Sequence, residues 1–121
     1  MKGKQNRAYS FLEFVLQPTK VTRGMQKLTA RIKNNSDAVV RNIVLTMRSL
    51  NDEALQVRDG EKFIYALMPG HDLSSDFDVV ATSDGQVYVS LSGFKNADVF
   101  FRVDSVRYRV HVEKTALVLL N

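Results

Sequence analysis

The sequence predicts an all-β domain, an immunoglobulin-like antiparallel β-sandwich of seven to nine strands. Three observations carry this. Apolar and polar residues alternate with a period of two through segment after segment, the pattern of strands buried on one face. Clusters of turn-forming residues separate those segments about once every dozen residues, the spacing of short strands in a sandwich or barrel. No window holds apolar residues at i, i+3, i+4 and i+7 over three turns, so the crossover helices that a parallel sheet requires are missing.

Taken in order, residues 11–16 form a first short strand. Residues 26–33 are the clearest case, with Leu28, Ala30 and Ile32 on one face and Lys27, Thr29, Arg31 and Lys33 on the other. Residues 40–48 repeat the pattern: Ile43, Leu45 and Met47 point in, Asn42, Thr46 and Arg48 point out, and Val44 breaks the alternation. Short strands follow around 54–57 and at 62–67. Residues 73–81 set Leu73, Phe77 and Val79 against Ser74, Asp76 and Asp78. Residues 86–92 set Val87, Val89 and Leu91 against Gln86, Tyr88 and Ser90. Between them lie Asn34-Asn35-Ser36-Asp37, Arg58-Asp59-Gly60, Pro69-Gly70 and Ser83-Asp84-Gly85, which tolerate tight or left-handed backbone.

The 121 residues suit one domain, and 45% hydrophobic residues with 25% charged ones are globular proportions. The expected division is a flexible segment over 1–9 and one sandwich over 10–121 that ends in a hairpin and a tail. Without cysteine there are no disulfides, thiolate metal sites or cysteine nucleophiles, and no cofactor is expected. No apolar run approaches the ~20 residues of a membrane helix, and the stretch from Phe11 to Leu16 is short and broken by Glu13, unlike a signal peptide. Location stays open: cytoplasmic as written, or extracellular if trimmed from a larger precursor. Seventeen basic against thirteen acidic residues leave a net charge of +4, which favours anionic partners mildly but lacks the focus of a nucleic-acid surface.

Leu28-Thr-Ala-Arg-Ile-Lys-Asn-Asn-Ser-Asp37, then Val40-Arg-Asn-Ile-Val-Leu-Thr-Met47, then Leu67-Met68-Pro69-Gly70 before another alternating strand form a recognisable order. Over residues 11–92 this order resembles the CARDB and NEW3-type modules, immunoglobulin-like domains of prokaryotic surface proteins. The resemblance implies adhesion, spacing or presentation, with no catalytic residues to carry over. Beyond residue 92 the chain departs from that pattern.

Val99 to Val103 and Val106 to Val110 flank Asp104-Ser105, and the mirrored alternation predicts a two-residue hairpin. In that hairpin Arg102 faces Arg107, Phe101 faces Tyr108 and Phe100 faces Arg109, with Asp98 and His111 next in line. One side is apolar, and the other carries Phe100, Arg102, Arg107, Arg109 and His111. Opposed arginines cost up to ~1 kcal/mol unless an anion or acid lies between them, and Phe100 is placed to take Arg109 by a cation–π contact of ~0.5–1 kcal/mol. The strip is therefore a candidate site for an acidic glycan, a phosphate group or an acidic partner. The plainer alternative is a solvated face whose acids, such as Asp98 and Glu113, come from neighbouring chain. Lys27, Arg31 and Lys33 belong to the opposite sheet in the usual topology.

Other chemistry is poorly supported. His71 and His111 lack the spacing of a zinc pair, and Asp76 with Asp78 lacks a calcium loop. Neither Gly-x-Ser-x-Gly nor a glycine-rich phosphate loop occurs. Asn34-Asn35-Ser36 fits a glycosylation sequon but also a strand-end turn, the better account. The apolar run Ala116 to Leu120 suits a sheet edge, self-association or the stump of a linker to a neighbouring module. The expectation is a non-enzymatic interaction or structural module binding protein or glycan. The alternative is an anion binder using the basic strip.

Overall fold

The computed structural model describes residues 11–96 and 98–113, and among these lie nine strands and no helix. They are β1 (Leu12–Gln17), β2 (Lys20–Thr22), β3 (Gly24–Asn34), β4 (Val40–Ser49), β5 (Leu55–Arg58), β6 (Glu61–Leu67), β7 (Asp72–Ala81), β8 (Gly85–Lys95) and β9 (Val99–Glu113). A four-stranded sheet runs β1-β3-β7-β5 and a five-stranded sheet runs β2-β9-β8-β4-β6. Every connection but the last crosses from one sheet to the other. Strands adjacent in sequence, β8 and β9 excepted, therefore lie in opposite sheets, and the other pairings within each sheet join strands that are not consecutive along the chain.

The seven strands expected from alternation are present, because each has one face to bury. Leu28, Ala30, Ile32, Phe77 and Val79 line the core from the four-stranded sheet, and Ile43, Leu45, Met47, Val87, Val89 and Leu91 line it from the other. The alternation carried no sign of β2, which has three residues and a single buried position, Val21. It adds in parallel to the end of β9, where so short a strand has no periodicity to display.

Residues 99–113 correct the predicted hairpin. They form one continuous strand, with Phe100, Arg102, Arg107 and Arg109 opposite Phe94, Ser92, Tyr88 and Gln86 of β8. The arginines do not face one another, Phe100 does not face Arg109, and Asp98 does not pair with His111. Instead, Val103 pairs with Leu91 and Val106 with Val89, so β9 spends three steps where β8 spends two. This is a β-bulge at residues 104–105, and an inserted residue reverses which face each later side chain takes. Phe101 and Val103 point inward before it, Val110 and Val112 after it. A two-residue turn mirrors the alternation in the same way, and neither Asp104 nor Ser105 is the glycine that a tight turn favours.

The two turns that carry the family resemblance meet at one residue. Asn34, the one buried polar side chain among the described residues, donates from Nδ2 to the carbonyls of Ala38 and Leu67 at 2.8 and 3.0 Å. Its Oδ1 accepts from the Ser36 N–H at 3.0 Å and the Ser36 hydroxyl at 2.7 Å. The Gly70 N–H donates to the Asn34 carbonyl at 2.8 Å, and Gly70 adopts φ 78°, where only glycine is unstrained. Asn34 is thus spent on joining the Asn-rich turn to the Pro-Gly turn, with no side-chain atom left at the surface for a glycan. Residues 1–9 and the run Ala116 to Leu120 lie outside the described residues.

Candidate functional site

The two outer faces of the sandwich differ in how their charges are met. On the four-stranded sheet, Lys27, Arg31, Lys33 and Arg58 share the surface with Glu13, Asp72, Asp76 and Asp78. Cross-strand register brings them together. Lys27 bonds Asp78 at 2.8 Å, the Thr29 hydroxyl donates to Asp76 at 2.7 Å, and Arg31 pairs with Asp72. Hydrogen bonds from Arg31 and Lys27 hold the Asp72 and Asp78 carboxyls below the usual range, and Asp78 in turn raises the Lys27 ammonium. Asp76 and Asp78, weighed above as calcium ligands, are engaged in this ladder.

On the five-stranded sheet, Lys20, Arg41, Arg48, Arg102, Arg107 and Arg109 face solvent, and among the described side chains the carboxylates beside them on the strands are Glu61 and Glu113. Lys20 reaches Glu113 at 3.6 Å. No ion pair among the described residues involves Arg48 or Arg107. Exposed rings share this sheet, with Phe63 and Tyr65 on β6 and Phe100 on β9.

All five predicted site residues lie on this face, now in a file along β9. Phe100 stacks edge-on to Phe94 with ring centroids 5.4 Å apart. Arg102 lies beside Ser92. Arg107 places its guanidinium 5.4 Å from the Tyr88 ring centroid, a cation–π contact that supports it from below. At the far end the strip is occupied by protein. His111 Nδ1 lies 3.1 Å from Asp84, whose carboxyl is held low by the Val112 N–H at 2.7 Å and then by His111. Arg109 adds to that field. His111 and Arg109 therefore belong to a local cluster around the Ser83-Asp84-Gly85 turn. Inside the sandwich, burial pushes the Tyr108 phenol up to about 12, where its ring meets Phe14 of the opposite sheet edge-on at 6.2 Å.

Arg48 is the residue that the alternation did not single out. Arg48 of β4 pairs with Tyr88 of β8, and Tyr88 pairs with Arg107 of β9. One row across three strands therefore reads Arg-Tyr-Arg. One row along, Thr46 pairs with Ser90, which sits opposite the β9 bulge, and beyond it Val44 pairs with Ser92 and Ser92 with Arg102. Small hydroxyl side chains between long cationic ones leave a shallow depression of about 470 Å³ lined by Arg48, Ser49, Leu50, Tyr88, Ser90 and Arg102. A smaller hollow adjoins it at Thr46 and Ser92. Among the described residues, no group of three or more His, Asp or Glu side chains converges as metal ligands would.

No protein-family model and no curated protein sequence matches the chain. Solved structures do match. The native conformation of Escherichia coli alpha-2-macroglobulin superposes with a TM-score of 0.65 at 17% identity, over 84% of this chain and 7% of that one. A chain of the human seminal plasma complex of zinc 2-glycoprotein with prolactin inducible protein gives 0.61 at 10% identity, over 85% of this chain and 94% of that one. The chain is an immunoglobulin-like β-sandwich. A cohesin module from a Clostridium perfringens glycoside hydrolase gives 0.50 at 11% identity, over 84% and 96%. At such identities the likeness is one of fold. The sandwich spans only 7% of the macroglobulin chains it matches, whereas it matches the other two nearly end to end.

Proposed function

We propose that this chain is a non-catalytic interaction or structural module of the CARDB/NEW3 type that docks a protein or glycan through the outer face of its five-stranded sheet. One observation carries the reading: that face has an excess of cations over carboxylates beside solvated rings, while the other face meets its own charges in pairs. Excess charge and exposed aromatic surface gain from a complementary partner, and arginine and aromatic residues are those enriched at protein interfaces. The joining of the two turns at Asn34 supports the family part of the proposal. The match to a small part of the macroglobulin chains supports a place among other modules in a longer protein. A second reading, direct binding of an anionic ligand, is favoured by the Arg48, Tyr88 and Arg107 row.

Face-specific variants test the first reading. Wild type, the pair Thr46→Glu with Ser92→Glu on the five-stranded sheet, and Ser74→Glu on the four-stranded sheet are passed over immobilised acidic and neutral polysaccharides and extracellular proteins. Retention of wild type and Ser74→Glu, with loss in the paired variant, is expected. Retention unaffected by the paired variant, or no retention of wild type on any support, overturns the proposal.

A further inference from the structure

The geometry points to an acidic-polysaccharide site on the outer face of β4, β8 and β9, where Arg48 lines the depression and Arg107 stands beside it across Tyr88, with these two arginines as its principal anion-binding groups. This rests on the docking face proposed above and narrows it to one place and one ligand class. Arg48 and Arg107 flank Tyr88 in one row, so their backbones stand about two strand spacings, or ~10 Å, apart. Arg102 lines the same depression from the neighbouring row. Cations spread over that distance suit a chain bearing several anions better than a single small ion.

One of the cations is held beside a ring. The Arg107 guanidinium lies 5.4 Å from the Tyr88 centroid, a cation–π contact that leaves its N–H donors for a carboxylate or sulfate. Between the rows, Thr46 and Ser90 supply hydroxyls that both donate and accept, matching the hydroxyls of a sugar. An acidic protein would gain most from a deep pocket for an aromatic or aliphatic anchor, whereas this depression is shallow and its apolar lining is Leu50 beside Tyr88. A single-stranded nucleic acid would gain from a bare ring for base stacking; the ring in the depression, Tyr88, is taken by Arg107, and the exposed Phe63, Tyr65 and Phe100 are not among its lining residues. Glu61, opposite Thr46 on β6, places a carboxylate at one margin and directs an anionic chain toward β9.

Binding of the full chain to polygalacturonate, which carries only carboxylates, and to dextran sulfate, which carries only sulfates, is measured by calorimetry at two salt concentrations. At least one polymer binds, more weakly as salt rises, and the stronger of the two identifies the anion. Arg48→Gln and Arg107→Gln each weaken that binding about five- to tenfold, the loss of one charge-assisted contact. Arg109→Gln, beside Asp84, changes it by less than about twofold. Equal effects of all three substitutions indicate a diffuse charge effect and overturn the site. Polyglutamate or double-stranded DNA binding as tightly as the better polysaccharide overturns the ligand class. If the paired Thr46→Glu and Ser92→Glu variant abolishes binding while neither arginine variant alters it, the site falls and the docking face stands. If none of these variants responds, both fall.

Discussion

The outer face of the four-stranded sheet and that of the five-stranded sheet are built from the same alternation, yet cross-strand ion pairs run through the first while Arg48 and Arg107 on the second have no ion pair among the described residues. In the first, β3 contributes cations and β7 carboxylates, and antiparallel register sets Lys27 against Asp78 and Thr29 against Asp76. In the second, β4 and β9 both contribute arginines, and β8 between them supplies Tyr88, Ser90 and Ser92. Arginines on both flanks of a neutral strand have no carboxylate on that strand to pair with. Which strand lies between which thus decides whether a face is closed to partners or open to them.

Among single substitutions, the largest effect is expected where the two sheets are tied together. Asn34→Ala leaves the carbonyls of Ala38 and Leu67 and the donors of Ser36 without their buried partner, and lowers unfolding stability by ~2–4 kcal/mol. Urea denaturation measures it, and a change below the upper limit for an exposed residue would show that the joint is idle. Because Asn34 joins β3 to the end of β6, the loss should be accompanied by weaker binding at the five-stranded face.

Next is the bulge that lets β9 keep both its halves on the basic face. Deleting Ser105 restores simple alternation, so Phe101, Val103, Val106 and Tyr108 still point inward; the variant should fold with a loss of ~1–2 kcal/mol. Deleting Tyr108 instead turns the residues between it and the bulge against those beyond it and should prevent native folding. Circular dichroism and denaturation of the two variants compare them. A hairpin would give the opposite ranking, since its two-residue loop could not be shortened.

Acid separates the faces by a smaller amount. The folded carboxyls of Asp72 and Asp78 sit below their unfolded values near ~3.9, so their contribution is complete above that pH. It is lost as pH falls through their folded values. Asp72→Asn with Asp78→Asn should flatten the acid side of the stability profile measured by denaturant midpoint. An unchanged slope would mean that the ladder is no more than solvated charge. Smallest of all, Arg107→Gln should alter stability by less than ~0.5 kcal/mol in either direction, although it is expected to weaken polysaccharide binding. A larger loss of stability would mark Arg107 as part of the fold and not of a site.

Much of the fold was legible because burial on one side of a sheet writes itself as period two. Leu28, Ala30 and Ile32, or Val87, Val89 and Leu91, could point only one way. β2 was not legible because a three-residue strand carries no period, and residues 99–113 misled because a bulge and a tight turn reverse alternation alike. The absence of glycine at Asp104-Ser105 was the signal available against the turn. For the candidate site, the common face of Phe100, Arg102, Arg107, Arg109 and His111 was legible, since the reversal at the bulge preserves it. That Asp84 engages His111, and that Arg48 joins Arg107 across Tyr88, was not, because both depend on which distant segments lie side by side.

By itself, the sequence determined the sandwich class, the strands with one buried face, the turns at Asn34 and Gly70, and the set of residues turned outward. These follow from local backbone preference and from which side chains water rejects. Tertiary structure alone decided that β8 separates β4 from β9, that β3 meets its acids on β7, and that two arginines come to flank one tyrosine. Strand order is settled by how the whole core closes, and the charges on the outside take whatever neighbours that closure brings.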